Sequence, residues 1–179
     1  VGTVIGQDDA VILEGLQDEV PAEDFTAIRQ VIEREFQQPL EQVFTEFDPN
    51  PLAAASLGQA HFAKIKTEPD EGQSNHATLR VVVKVQRPNI DQIVETDLAA
   101  LARVAVWLQW YPAIRKRANV PALMEEFSTT MREEMDYIHE GKNAERFAAN
   151  FQDNPRILVP SVHWEYTTRR VITLQDVYG

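Results

Sequence analysis

The chain has 179 residues, of which 44% are hydrophobic and 25% are charged, proportions typical of a globular protein with one domain or two small lobes. Seventeen basic against 28 acidic side chains give a net charge of −11, which argues against general nucleic-acid binding because a polyanion would be repelled. The lack of cysteine excludes disulfides and thiolate metal sites, and the spacing of the four histidines is not that of metal ligands, so no metal site is predicted.

The first predicted helix begins near Pro21, which suits the first helical position. Glu23 and Asp24 would then lie in its first turn, where acidic side chains are favourable. Apolar residues follow at helical spacing, namely Phe25, Ile28, Ile32 and Phe36. We expect this helix to end before Pro39.

Three strands are predicted after this helix. Residues 43–47 resemble a short strand, which the Asp-Pro-Asn-Pro cluster at 48–51 ends. A loop of small residues follows, and residues 59–66 then alternate in the manner of a strand. Residues 67–78 are polar and rich in turn formers, and residues 79–86 form a β-branched run. The pattern therefore predicts that the strands at 59–66 and 79–86 form an antiparallel hairpin, with residues 67–78 as its long solvated tip.

The second half of the chain is mainly helical in pattern. We predict helices over residues 89–111 and 121–151, followed by short strands at 161–166 and 170–174. The expected fold class is α+β, with an antiparallel sheet of about five short strands packed with an N-terminal helix and two long helices. No apolar run reaches the length of about 20 residues that a membrane span needs.

Lys84 lies within an apolar strand, in the segment RVVVKVQRP. Alternation places it on the face opposite Val81, Val83 and Val85. A buried ammonium is costly unless a carboxylate or phosphate lies near it, so this position suggests an anionic partner. The alternative is an edge-strand lysine whose ammonium reaches water.

Two glutamates in the second long helix could be that partner. Glu134 occupies a place on an apolar stripe and would face the core. Glu140 lies in a second apolar row and is the competing candidate. The stripe consists of Phe127, Met131 and Ile138, and the second row consists of Tyr137, Ala144 and Phe147.

A small-residue loop between strands, a strand lysine and a later helix glutamate together suggest nucleotide binding. In the N-lobe of a protein kinase, backbone N–H groups of such a loop cover the phosphates of ATP. The lysine contacts two phosphates, and the glutamate orients the lysine. The order of these elements along the chain is the order found in kinases.

Several longer motifs extend this pattern. They are the loop AAASLGQAH, the strand segment VVVKVQRP, an E-x-D motif at residues 134–136 followed by Glu140, the segment NAERF, and the final segment TTRRVITLQDVYG. With these motifs the chain resembles the N-terminal lobe of the AarF/UbiB family of atypical protein-kinase-like proteins, in which an alanine-rich loop replaces the glycine-rich loop. The resemblance covers residues from about 16 to 179.

The resemblance implies roles for individual residues. Lys84 would contact nucleotide phosphates, Glu134 would form its ion pair, and Asp136 and Glu140 are secondary candidates. Gln175, near the hinge, would belong to the nucleotide site. The backbone over the phosphates would be that of Ala53, Ala54, Ala55, Ser56, Leu57 and Gly58.

The resemblance also implies a division of the chain and a cofactor. Residues 1–47 would be an N-terminal helical extension with the first strand, and residues 48–179 a kinase-like N-lobe that ends at the hinge. ATP with Mg²⁺ is the expected cofactor, and the expected activity is that of an ATPase or phosphotransferase in ubiquinone (isoprenoid quinone) biosynthesis or lipid metabolism. The alternative is a non-catalytic binding or scaffold module of the pseudokinase type.

Two positions depart from the family pattern. The K-x-G-Q motif is not recognisable, since Val4-Ile5-Gly6-Gln7 has valine in place of lysine. Near the hinge, Gln175 and Asp176 stand where the family usually has glutamate and tryptophan.

The chain lacks an initial methionine, and we expect it to be a fragment without the C-lobe. The catalytic-loop and metal-binding residues of kinases follow the hinge, so the fragment alone is not expected to turn over ATP.

A short aromatic and basic segment could contact lipid. Trp107 and Trp110 precede Arg115, Lys116 and Arg117, a combination that suits an anionic membrane surface. The alternative is that the tryptophans pack in the core of the lobe. We favour this alternative because the aromatic segment is short. The expected localisation is cytoplasmic, with membrane association as an option for the full-length protein.

Overall fold

The computed structural model describes residues 21–67, 77–112, 119–152, 154 and 156–177. These residues form helices α1 (Phe25–Phe36) and α2 (Leu40–Val43), strands β1 (Glu46–Phe47), β2 (Ala53–Ala54), β3 (Gly58–Lys66) and β4 (Thr78–Gln86), helices α3 (Ile90–Leu108), α4 (Val120–Glu134) and α5 (Tyr137–Asn150), a 3₁₀ turn (Trp164–Tyr166) and strand β5 (Val171–Gln175). The predicted α+β class and the five-stranded antiparallel sheet are confirmed.

The sheet places β4 in its interior. The strand order is β1-β3-β4-β5, and β2 also pairs with β3. Lys84 in β4 stands opposite Ala60 of β3 on one side and Ile172 of β5 on the other. The alternative of an edge-strand lysine is therefore wrong, because both neighbouring positions are occupied by paired strands.

One face of β4 packs against helix α1. Val81, Val83 and Val85 are fully buried in a cluster that includes Ile28 and Ile32 of α1. Burial of each such side chain contributes about 1.5–3 kcal/mol, so this face holds the sheet and α1 together. A second, smaller cluster joins α3 to the end of α4, through Ile90, Val94, Leu98 and Met135.

The first helix begins later than predicted. Asp24 caps it by accepting a hydrogen bond from the Thr26 N–H at 2.8 Å, so Pro21 and Glu23 precede the helix. Aspartate is a favourable N-cap because its carboxylate satisfies an unpaired helical N–H. The predicted strand at 43–47 is also shortened, since helix α2 extends to Val43 and only Glu46–Phe47 pairs with β3.

The predicted helix at 121–151 is two helices that meet at Met135 and Asp136. The Asp136 carboxylate accepts a hydrogen bond from the Ile138 N–H at 3.0 Å and thereby begins α5. The buried Gln86 side chain donates to the Met135 carbonyl, and the Tyr137 N–H donates to the Arg169 carbonyl. These partners outside the helix compensate for the interrupted helical hydrogen bonds. Asp136, a secondary site candidate, therefore serves as a helix cap.

The C-terminal strands are also only partly as predicted. The strand over 170–174 is confirmed as β5. The segment predicted as a strand over 161–166 instead contains the 3₁₀ turn, and its one strand-like contact is an isolated bridge from Val162 to Leu174.

A buried polar chain connects β3 to the segment before α1. The His61 ring is fully buried, its Nδ1 lies 2.9 Å from the Asp48 carbonyl oxygen, and its Nε2 lies 2.9 Å from the Gln59 side-chain nitrogen. The Gln59 side-chain oxygen accepts a hydrogen bond from the Glu23 N–H at 2.8 Å. These contacts fit a neutral ring that carries its proton on Nδ1, because a carbonyl can only accept and the Gln59 amide nitrogen can only donate.

Lowering the pH below about 6.5 should destabilise the protein through His61. Burial lowers the pKa of this histidine. The unfolded chain therefore binds a proton that the folded chain excludes, and the free energy of unfolding falls as the pH drops through this range. Urea unfolding of the wild type and of His61→Gln, between pH 7.5 and 5, should give a smaller slope for the variant. Equal slopes in the wild type and in His61→Gln would contradict the assignment.

Candidate functional site

A cavity of about 320 Å³ lies between the alanine-rich loop and the start of α5. This volume is within the range of small-molecule pockets. Its lining combines the small residues of the loop with one cation, two carboxylates and a phenol. The lining residues are Ala53, Ala54, Ala55, Ser56, Leu57, Gly58, Gln59, Ala60, Lys84, Glu134, Tyr137 and Glu140.

The loop forms a tight hairpin over the cavity. Ala53 and Ala54 of β2 pair with the first residues of β3, and the Ala55 N–H donates to the Gly58 carbonyl at 2.8 Å. The Leu57 side chain packs against the cluster formed by α3 and the end of α4. The loop is thus fastened at both ends and by its one large side chain.

Arg87 joins the loop to the segment before α1. Its Nε donates to the Ala55 carbonyl at 3.0 Å, and its guanidinium also binds the Pro21 carbonyl at 2.7 Å and the Glu23 carboxylate at 2.5 Å. The backbone N–H of Arg87 donates to the Leu57 carbonyl at 3.0 Å. The Arg87 side chain is only 12% exposed, so these contacts are largely shielded from water. The sequence analysis missed this role because an arginine after a strand normally indicates a surface position.

Gly58 is required by the close approach of three elements. A Cβ at this position would lie 2.5 Å from the Val85 carbonyl oxygen and 2.7 Å from the Tyr137 hydroxyl. The backbone of the loop can therefore lie directly on β4 and α5 only because this residue has no side chain.

Two backbone donors of the loop remain open. Within the described residues, the N–H groups of Ser56 and Leu57 donate to no other group. Successive N–H groups in a turn form a concave site that favours anions. The loop can therefore offer backbone donors to a ligand in the cavity.

Lys84 forms an ion pair with Glu140 inside the cavity. Its Nζ lies 2.6 Å from the Glu140 Oε1. The prediction that Glu134 forms this pair is wrong for this structure, and the competing candidate Glu140 takes its place. The physical reason is the break at residues 135–136, which begins a new helix and places Tyr137 and Glu140 on one face of its first turn.

Glu134 lines the cavity but is exposed and forms no ion pair within the described residues. The expectation that its carboxylate faces the core is therefore wrong. A second cavity of about 580 Å³, between α5 and residues 157–160, is lined by Glu134 and Glu140 as well.

The ion pair contributes little to folding. The Lys84 and Glu140 side chains are 37% and 40% exposed. Ion pairs with this much access to water contribute only about 0–1 kcal/mol to stability. The pair therefore leaves the Lys84 ammonium partly accessible from the cavity.

The Tyr137 ring lies beside the ammonium. The Lys84 Nζ is 5.1 Å from the ring centroid, within the range of a cation–π contact. Burial, with a smaller contribution from the Glu140 carboxylate, raises the pKa of Tyr137 to about 12. The sequence analysis assigned Tyr137 to an apolar row, and nothing in the pattern indicated that its hydroxyl would reach the cavity.

Gln175 lies apart from the cavity. It pairs with Val81, three residues along β4 from Lys84, which corresponds to a separation of about 10 Å along the strand. Its side chain and backbone bind Ser161 instead. Its assignment to a nucleotide site therefore stays a prediction.

The tryptophans of α3 and the turn after it are on the surface. Trp107 is 64% exposed and Trp110 is 79% exposed, so the prediction that they pack in the core is wrong. Arg115, Lys116 and Arg117 lie outside the described residues. None of the described helices is both long and apolar enough to cross a membrane. Contact with a lipid surface stays a proposal.

The fold and the site together define a kinase-like lobe, and comparison with known proteins agrees. Residues 15–179 match the ABC1 atypical kinase-like domain, and the chain belongs to this family. The resemblance to UbiB proteins and the kinase-like fold are thereby confirmed.

Individual relatives share sequence with this chain, and one solved structure also shares its fold. The chain is 42% identical to an uncharacterised protein of Synechocystis, over 92% of this chain and 28% of the relative. It is 32% identical to the probable protein kinase UbiB of Marinobacter nauticus, over 98% of this chain and 30% of the relative. Rv3197 of Mycobacterium tuberculosis, solved in complex with erythromycin, shares 27% identity and a TM-score of 0.67, over 93% of this chain and 39% of that chain. The chain thus spans less than a third of the length of these two curated relatives.

Proposed function

We propose that this lobe binds the phosphates of ATP between the alanine-rich loop and Lys84. The observation that carries the proposal is the Lys84–Glu140 ion pair in a cavity directly under the loop. In kinases a strand lysine that contacts the phosphates is oriented by a helix glutamate in this way. The open N–H groups of Ser56 and Leu57 would supply the backbone donors.

The cavity carries one cation, Lys84, and two carboxylates, Glu134 and Glu140, so a bound polyphosphate would depend on Lys84 and on its accompanying Mg²⁺ for counter-charge. Lys84 supplies one cation, and its present partner Glu140 is a carboxylate that holds the ammonium at the cavity. The phosphate chain would share this ammonium, and the small loop residues would allow close approach of the backbone.

Mg²⁺ would accompany ATP, as the family resemblance implies. Among the residues that the structure describes, no group of three or more His, Asp or Glu side chains could hold a metal ion. Under the proposal, the metal ligands and the catalytic aspartate would come from a C-lobe that follows the hinge. The whole protein would act as an atypical ATPase or phosphotransferase that supports isoprenoid quinone or lipid metabolism.

Glu140→Gln should reduce ATP turnover by the full-length protein about tenfold. The neutral amide would no longer orient the ammonium through an ion pair, so the phosphates would meet a misplaced cation. Because Glu140 acts through Lys84, the same change in a Lys84→Met background should add less than about a twofold loss.

Glu133→Gln is the matched control, because Glu133 is exposed and does not line the cavity under the loop. It should leave turnover unchanged. Independent, additive losses from Glu140→Gln and Lys84→Met would contradict the proposed pairing.

A further inference from the structure

Tyr137 is a buried phenol at the floor of the cavity. It is the first residue of α5 and is only 5% exposed. Its N–H donates to the Arg169 carbonyl at 3.0 Å, which fixes the backbone next to β5. The position of the ring is therefore set by the sheet and not by the loop above it.

The hydroxyl of Tyr137 lies under the loop at Gly58. A Cβ added to Gly58 would be 2.7 Å from this oxygen. Within the described residues, the hydroxyl forms no hydrogen bond, although Tyr137 lines the cavity. The hydroxyl oxygen is open to the cavity and not sealed in the core, so a ligand acceptor can sit beside it.

The Lys84 ammonium is the group near the phenol that attracts an anionic acceptor, in a cavity also lined by the Glu134 and Glu140 carboxylates. The Lys84 ammonium lies 5.1 Å from the ring centroid, so an anion attracted to Lys84 would come close to the phenol. The pKa of about 12 keeps the hydroxyl protonated at neutral pH, and it can therefore donate. Hydrogen bonds from a neutral donor to a charged oxygen are stronger than neutral pairs.

We infer that the Tyr137 hydroxyl donates a hydrogen bond to a phosphate oxygen of the nucleotide that Lys84 binds, an assignment that rests on the proposed function. Tyr137 would thus be a specificity residue for the phosphate chain. It would favour ATP and ADP over adenosine, and it would contribute nothing to recognition of the base.

Tyr137→Phe isolates the hydroxyl because the ring, its packing and its contact with Lys84 all remain. We expect ATP and ADP to bind the full-length variant about tenfold more weakly by calorimetry, with no change for adenosine. Since no hydrogen-bond partner is lost within the described residues, the melting temperature of the nucleotide-free variant should equal that of the wild type.

Tyr166→Phe is the matched control, since Tyr166 packs against Phe44 in the other core cluster. It should leave the affinities for all three ligands unchanged. Unaltered ATP binding by Tyr137→Phe would overturn the inference, as would an equal loss for adenosine accompanied by a lower melting temperature. A wild type that binds no nucleotide would overturn the proposed function and this inference with it, whereas failure of the inference alone would leave wild-type binding and its dependence on Lys84 intact.

Discussion

Lys84→Met should lower the affinity of the full-length protein for ATP by about 10- to 100-fold. Hydrogen bonds to charged groups contribute about 1.5–3 kcal/mol, and each 1.4 kcal/mol corresponds to a factor of ten. The fold should persist, because the Lys84–Glu140 pair is 37% and 40% exposed and contributes little to stability. Calorimetric titration with ATP, with thermal unfolding of the same sample, measures both effects.

Lys64→Met provides a matched control on the neighbouring strand. Lys64 of β3 also forms an ion pair, with Glu46 at 2.7 Å, but it does not line the cavity under the loop. We expect its ATP affinity to equal that of the wild type. A Lys84→Met protein that still binds ATP normally would contradict the nucleotide site. If it loses ATP binding and yet keeps the full cellular role, the scaffold alternative would be favoured.

Gly58→Ala should both destabilise the protein and weaken ATP binding at least tenfold. The new methyl group would lie 2.5 Å from the Val85 carbonyl oxygen and 2.7 Å from the Tyr137 hydroxyl, so the loop must shift away from β4 and α5. Overpacking of this kind costs about 1–3 kcal/mol. The displaced loop would no longer lie over Lys84, and we expect ATP affinity to fall at least tenfold. Urea unfolding and ATP titration measure the two effects.

Gly141→Ala separates the two effects. A Cβ there would also be too close to another group, at 2.7 Å from the Trp164 ring, but Gly141 does not line the cavity under the loop. Its stability reflects the shift of the Trp164 ring against the gain from replacing a glycine inside a helix, and ATP binding should not weaken in protein that remains folded. If both variants lose ATP binding equally, the weaker binding of Gly58→Ala would come from lower stability alone. That result would contradict a direct role of the loop position in binding.

Local patterns predicted most of the framework. The hairpin of β3 and β4 followed from alternation and β-branched residues, and α1 followed from helical spacing, because both elements bury one regular face. The break between α4 and α5 was missed because it depends on contacts from distant segments. Gln86 binds the Met135 carbonyl, and Arg169 accepts from the Tyr137 N–H. Periodicity alone cannot reveal such contacts.

The same break explains why one site residue was misassigned. Glu134 was expected at the ion pair on the basis of a stripe that assumed a continuous helix. Once the helix restarts at Tyr137, Glu140 in its first turn meets Lys84 and Glu134 is exposed. Lys84 itself was recognisable because a cation inside an apolar strand conflicts with the local pattern, and such conflicts are common at functional sites.

The most direct test of the central claim is a crystal structure of the full-length protein with a non-hydrolysable ATP analogue. The account predicts that the phosphates lie under the alanine-rich loop, with an oxygen about 2.7–3.2 Å from the Lys84 Nζ and within hydrogen-bonding distance of the Ser56 or Leu57 N–H. An analogue bound elsewhere at saturating concentration, with Lys84 paired only to Glu140 and the cavity empty, would contradict it.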